Sequence, residues 1–159
     1  MDNVEKNIID ILTDNHLITT GWTAYESVCL HYDDKTLIIK QYGGQAPDSG
    51  VDYPRVQIRA IALNPLGARD LLQSIYNFFS TFFRGCEPYS KSYTGYEMQI
   101  TALQSPFELG PDETKKQFSY ALNLEIVAVE QGLDLLESPA GEFLIDPTDG
   151  MLLIDPAGA

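Results

Sequence analysis

Two short stretches of this 159-residue chain carry residue types that could cut a phosphodiester bond. Pro47-Asp48 and the later Glu113-Thr114-Lys115 follow the order PD…ExK, in which two acids hold Mg²⁺ and a lysine polarises the attacked phosphate. That chemistry needs the two acids on adjacent strands. Asp48 instead falls in the glycine-rich stretch GGQAPDSGVDYP and Glu113 in the polar stretch QSPFELGPDETKKQ, and both read as solvent loops. A net charge of −13 also opposes a DNA substrate. The two histidines, His16 and His31, stand at no metal-ligand spacing. The patterns GxSxG, HExxH, GxxxxGK and GxGxxG are absent, so no catalytic residue, metal or cofactor is expected.

The bases of the central region are more informative. Arg55 and Arg59 sit on or beside one strand, and Arg69 falls in the first turns of the helix that follows. Two readings stay open for them: surface ion pairs, which contribute little, or pairs between subunits, where a guanidinium makes specific bidentate contacts. Cys29 and Cys86 are isolated and are expected to behave as small buried hydrophobes. With no CxxC and no disulfide framework, a reducing compartment is the expectation.

Charge is unevenly placed. The 23 acids and 10 bases divide so that residues 1–34 hold seven acids and one base, Lys6, and residues 130–159 hold seven acids and none. Residues 35–129 are balanced, with nine of each sign. Acidic ends either keep the protein soluble or form a surface that must not hold DNA. A content of 44% hydrophobic and 11% aromatic residues marks a globular chain, and the length suits one domain. The opening MDNVEKNIID lacks a basic region followed by an apolar core, so no secretory leader is expected there. No apolar run approaches the roughly 20 residues of a membrane span.

The elements that must position these residues follow from periodicity. Val4, Ile8, Ile11 and Leu12 predict an amphipathic helix over 2–17. The β-branched run 36–42 predicts a strand, 43–54 a long loop, and 55–63 a second strand with Val56, Ile58, Ala60 and Ala62 on one side. Asn64-Pro65 starts a helix that runs to Gly85, apolar around most of its circumference through Phe78, Phe79, Phe82 and Phe83. Such a helix needs cover on a second side, from its own core or from another subunit. Strands follow at 96–103 and 118–129, with 104–117 as a loop between them. The predicted fold is α+β: a mostly antiparallel sheet of about four strands, with an N-terminal helix and one long aromatic-rich helix on one face. Residues 1–130 form that domain. Residues 131–159 form an acidic extension in which Leu144-Ile145-Asp146-Pro147 and Leu153-Ile154-Asp155-Pro156 flank a turn, as in a small hairpin.

The ordered combination of these features resembles the tail-terminator and minor capsid proteins of long-tailed bacteriophages. The likeness is carried by Gly21-Trp22 with Tyr25-Glu26, then Val56-Gln57-Ile58-Arg59, then Ala68-Arg69 in the helix. The loop Pro106-Phe107-Glu108-Leu109-Gly110-Pro111-Asp112-Glu113 and the strand from Tyr120 to Ile126 with Asn123 complete it, so that it covers about residues 17–130. The resemblance implies a virion structural protein, assembled in the host cytoplasm, that sits at the head–tail junction as a hexameric ring. It would cap the tail tube, stop its polymerisation and dock the head connector. No catalytic residue is carried over. On this reading Arg59, Arg69, Phe78, Phe79, Phe82 and Phe83 are candidates for the subunit interface. Asp48 and Asp52 in loop 43–54, and Glu108, Asp112 and Glu113 in loop 104–117, are candidates for docking to tube and connector. The partners are then further copies of the chain, tail-tube protein and head-connector protein, with DNA passing an acid-lined channel unbound and no membrane involved. A connector or tail-tube protein, or an acidic host-directed binding protein, are the competing readings.

Overall fold

The architecture comes from a computed structural model, which describes residues 3–27, 34–81, 85–112 and 116–131. In chain order the elements are α1 (Val4–Asp14), β1 (Thr23–Glu26), β2 (Thr36–Asp48), β3 (Val51–Ala62), α2 (Pro65–Phe79), β4 (Tyr89–Tyr93), β5 (Tyr96–Ala102), β6 (Phe107–Asp112) and β7 (Gln117–Glu130).

These elements overturn the expected four-strand α+β sheet with one long helix. The molecule is mostly sheet: seven strands in the order β1-β2-β3-β7-β5-β4, with β6 also paired to β7, and two helices of 11 and 15 residues. The sheet is mixed, because β1 runs parallel to β2 while every other pair is antiparallel. It curls into a half-barrel.

Two of the additional stretches of strand lie where glycine and proline predicted loops. Residues 43–48 extend β2 and pair with β3 across two register irregularities, between Gln41 and Gly43 and between Gln45 and Asp48. The connection shrinks to Ser49-Gly50, both at positive φ (50° and 78°), as a tight hairpin turn matched to strand twist requires. Backbone pairing holds this strand although none of its side chains from Lys40 to Asp48 is buried, so a hydrophobic period could not reveal it. The predicted loop 104–117 likewise contains β6, whose bulge falls between Glu108 and Gly110. Strands β5 and β6 lie end to end along the same side of β7, opposite residues 124–130 and 117–121 of that strand.

The aromatic helix is shorter than its sequence period. Asn64 caps it, accepting from Leu66 N–H at 3.0 Å, and Pro65 occupies the first turn as predicted. It stops at Phe79, where Ser80 turns to an extended conformation (φ −71°, ψ 124°). Serine and threonine bond readily outside helices, and Ser80-Thr81 meets the end of the buried face there. Phe82 and Phe83 lie outside the described residues, as does the predicted hairpin within 131–159.

Both helices pack on one face of the sheet. Val56, Ile58, Ala60 and Ala62 of β3 and Leu122, Leu124 and Ile126 of β7 point into that layer, meeting Ile8, Ile11 and Leu12 of α1 and Leu72, Ile75 and Phe79 of α2. The curl brings both sheet edges to α1. Glu5 accepts from the Gln41 amide of β2 at 2.8 Å, whereas Asp14 pairs with Lys91 of β4 at 3.1 Å and Asn7 donates to the Tyr96 hydroxyl of β5 at 2.6 Å. The helices therefore fill the inside of the half-barrel and leave its other face without helical cover.

Candidate assembly surface

That other face is built by strand alternation. Where Val56, Ile58 and Ala60 turn inward, Arg55, Gln57 and Arg59 turn outward, and register sets them against polar residues of β7. Arg55 bonds Glu125 at 3.1 Å, Gln57 donates to Asn123 at 3.1 Å, and Arg59 donates from Nη2 to the Ser119 hydroxyl at 2.9 Å. All three β3 side chains are half-buried. Arg55 and Gln57 face complementary groups. Arg59 does not: its Nε is buried without a hydrogen-bond partner, and no carboxylate reaches its guanidinium among the described residues. Two residues along β7 from Ser119, Gln117 is 6% exposed and its Oε1 is also unpartnered.

The candidate interface residues divide. Arg59 lies on this helix-free face, and Arg69 is exposed on α2. Phe78 is half-buried, 5.0 Å from the rings of both Phe79 and Tyr89. Phe79 is a correction: it is 0% exposed in the core and offers nothing to a second subunit. Of the two sources of cover left open for the helix, its own sheet supplies that for Leu71, Leu72, Ile75 and Phe79.

The docking candidates sit at the two ends of β7. Asp48 is exposed at the tip of the β2–β3 hairpin, where its backbone pairs with Val51 and its carboxylate accepts from the Ser49 hydroxyl at 2.9 Å, and Asp52 is half-buried opposite Ala128. Asp52 lines a shallow groove of about 390 Å³ together with Pro47, Gly50, Tyr96 and Glu130. Glu108 is exposed on β6, and the backbone of Asp112 pairs with Gln117 at the start of β7. Glu113 and Lys115 lie outside the described residues. Along β7 the outermost members, Asp48 level with Val129 and Asp112 with Gln117, are roughly 40 Å apart, and Asp52 and Glu108 are roughly 26 Å apart. Asp48 on β2 and Asp112 on β6 thus lie at opposite ends of the sheet, on strands that do not pair with each other. Among the described residues no three His, Cys, Asp or Glu side chains gather to hold a metal. A second groove, of about 340 Å³, lies beside Trp22, Lys35, Asn64 and Asp70. No described helix is long and apolar enough to cross a membrane.

Several acids of the N-terminal region are occupied within the chain. Glu5 binds the Gln41 amide and the Ser27 hydroxyl, Asp14 binds Lys91, Glu26 accepts from Asn3, and Asp34 accepts from the Leu63 amide. Cys86, expected to be buried, is exposed; Cys29 and His31 lie outside the described residues. The sequence shows the alternation that turns Arg59 outward, but not the register that places Ser119 and Gln117 near it. The clue that it does hold is the matching polar period Gln117, Ser119, Asn123 and Glu125 on β7.

No protein-family model matches the chain, and no curated protein sequence matches it either. The family likeness therefore rests on the residues quoted for it.

Proposed function

We propose that the protein is a virion structural protein of a long-tailed bacteriophage that forms a ring capping the tail tube, ends tube polymerisation and docks the head connector. The observation that carries this reading is the placement of two acid-bearing ends, Asp48 with Asp52 and Glu108 with Asp112, at opposite ends of β7. A terminator must meet tube on one side and connector on the other. One strand joining two separated polar ends suits that task. The Arg55–Gln57–Arg59 row of the helix-free face and the exposed edge of β2 supply surfaces for neighbours in a closed ring, where heterologous contacts repeat until they meet.

A channel lined by acids would let DNA pass without holding it, because like charges repel. The acids in residues 3–34 contribute less to such a lining, since Glu5, Asp14, Glu26 and Asp34 bind groups of their own chain. Adding the purified protein to polymerising tail-tube protein tests the reading. Tubes of arrested length with this chain at one tip are expected, and tubes that grow on unchanged would refute it. The uncovered edge of β2 beyond β1 is the feature that favours a tube or connector protein instead. Incorporation along the whole tube, or binding to connector alone, would mark those cases.

A further inference from the structure

Arg59 is the one described cation whose surroundings leave it incomplete. Its Nη2 reaches Ser119, its Nε is buried and unpartnered, and neither of the two ion pairs among the described residues includes it. A half-buried guanidinium without a counter-charge is unfavourable; its Nε is enclosed, so the Nη donors are those an incoming carboxylate would meet. Arg55, two positions along the same strand face, shows the satisfied arrangement, with Glu125 directly opposite. Opposite Arg59 the register supplies Ala121, which offers nothing to bind.

The same chain carries a carboxylate with the converse deficiency. Asp48 stands at the end of the β2–β3 arm, exposed and without a cationic partner among the described residues. Every side chain from Lys40 to Ser49 is exposed, so this edge strand is open to a neighbour up to its tip, while Gly50 beside it accepts from the Glu130 amide of β7 at 3.0 Å.

We infer that Arg59 on the helix-free sheet face is the seat for the Asp48 carboxylate at the arm tip of a neighbouring copy of this chain. The inference rests on the ring reading and names the contact that closes it. Tip and seat are different patches, so each copy gives its arm to one neighbour and receives an arm from the other. That head-to-tail arrangement generates rings rather than two-fold dimers. Desolvated pairs of this kind decide how long a contact persists, whereas rim charges mainly set how fast it forms.

Charge exchange tests it on the full chain, with molar mass read by light scattering and folding by circular dichroism. Arg59→Asp and Asp48→Arg should each weaken assembly on the order of 30-fold or more, and the double exchange should restore the ring. If Arg59→Asp does not fold, Arg59→Gln keeps a polar head for Ser119 and should lower the salt concentration at which rings dissociate. Arg55→Gln, whose partner is in the same chain, should leave assembly unchanged. A ring that survives both single exchanges, or a double exchange that does not recover, overturns the inference while leaving the ring reading intact. Equal weakening by Arg55→Gln overturns it too, by assigning the effect to general charge. A parent protein that is monomeric, alone and with tail-tube protein, refutes both.

Discussion

Tyr93 shows how one side chain reports on the curl of the sheet. Its ring stacks on Tyr96 at 5.0 Å, Lys91 Nζ lies 5.5 Å from its ring centroid, and its hydroxyl is buried without a partner among the described residues. Burial, then the neighbouring Tyr96 and Tyr89 phenols when ionised, then Asp10 and Asp14, push its pKa well above the ordinary value near 10. Because the unfolded chain gives up this proton first, Tyr93 favours folding below pH 10 and loses that contribution as pH rises beyond it. Tyr93→Phe should therefore flatten the alkaline loss of stability in urea titrations between about pH 9 and 11. At neutral pH it should be neutral or stabilising by up to about 1 kcal/mol, because it removes an unsatisfied hydroxyl. A variant as alkali-sensitive as the parent contradicts the assignment. Phe79 makes the opposite point. Fully enclosed, it should cost about 3–5 kcal/mol as Phe79→Ala, measured by urea unfolding, whereas an interface residue would lower oligomer stability instead.

At the scale of elements, the arm and the two helices decide how much of the fold the sequence could disclose. Helix α1 was legible because Val4, Ile8, Ile11 and Leu12 keep a helical period, and all four are buried. Strand β3 was legible by its alternation, and the start of α2 by Asn64-Pro65. What escaped were pieces stabilised by backbone pairing rather than burial: the outer half of β2, β4 with its polar alternate residues, and β6 with its bulge at glycine. Arg59 could be placed on an outward face from its period, but its unmet hydrogen bond depends on register across some 60 residues of chain. The arm yields its own prediction. A Cβ on Gly44 would sit 2.2 Å from the Tyr53 carbonyl oxygen, at φ +144°, so Gly44→Ala should destabilise by at least about 1 kcal/mol and disturb the hairpin. Gly67→Ala, in the first turn of α2 with open space around it, should stabilise by about 0.5–1 kcal/mol. Thermal melts of the two variants, shifting in opposite directions, check both.

For the whole molecule, the −13 charge separates into parts with different roles. Acids near the start of the chain fasten α1 and the turn before β2 to the sheet, while Asp48 and Glu108 remain exposed at opposite ends of the half-barrel. On the ring reading, the exposed β2 edge and the two separated acid-bearing ends are the surfaces that would meet other copies and two different neighbours. Assembly through charged seats should be salt-sensitive, so rings should dissociate as NaCl is raised and re-form on dialysis, followed by sedimentation. The most direct test of the account is the molar mass in solution by size exclusion with light scattering, alone and with tail-tube protein. The ring reading predicts a discrete species of about six times the 17.7 kDa chain; a strict monomer in both samples would contradict it.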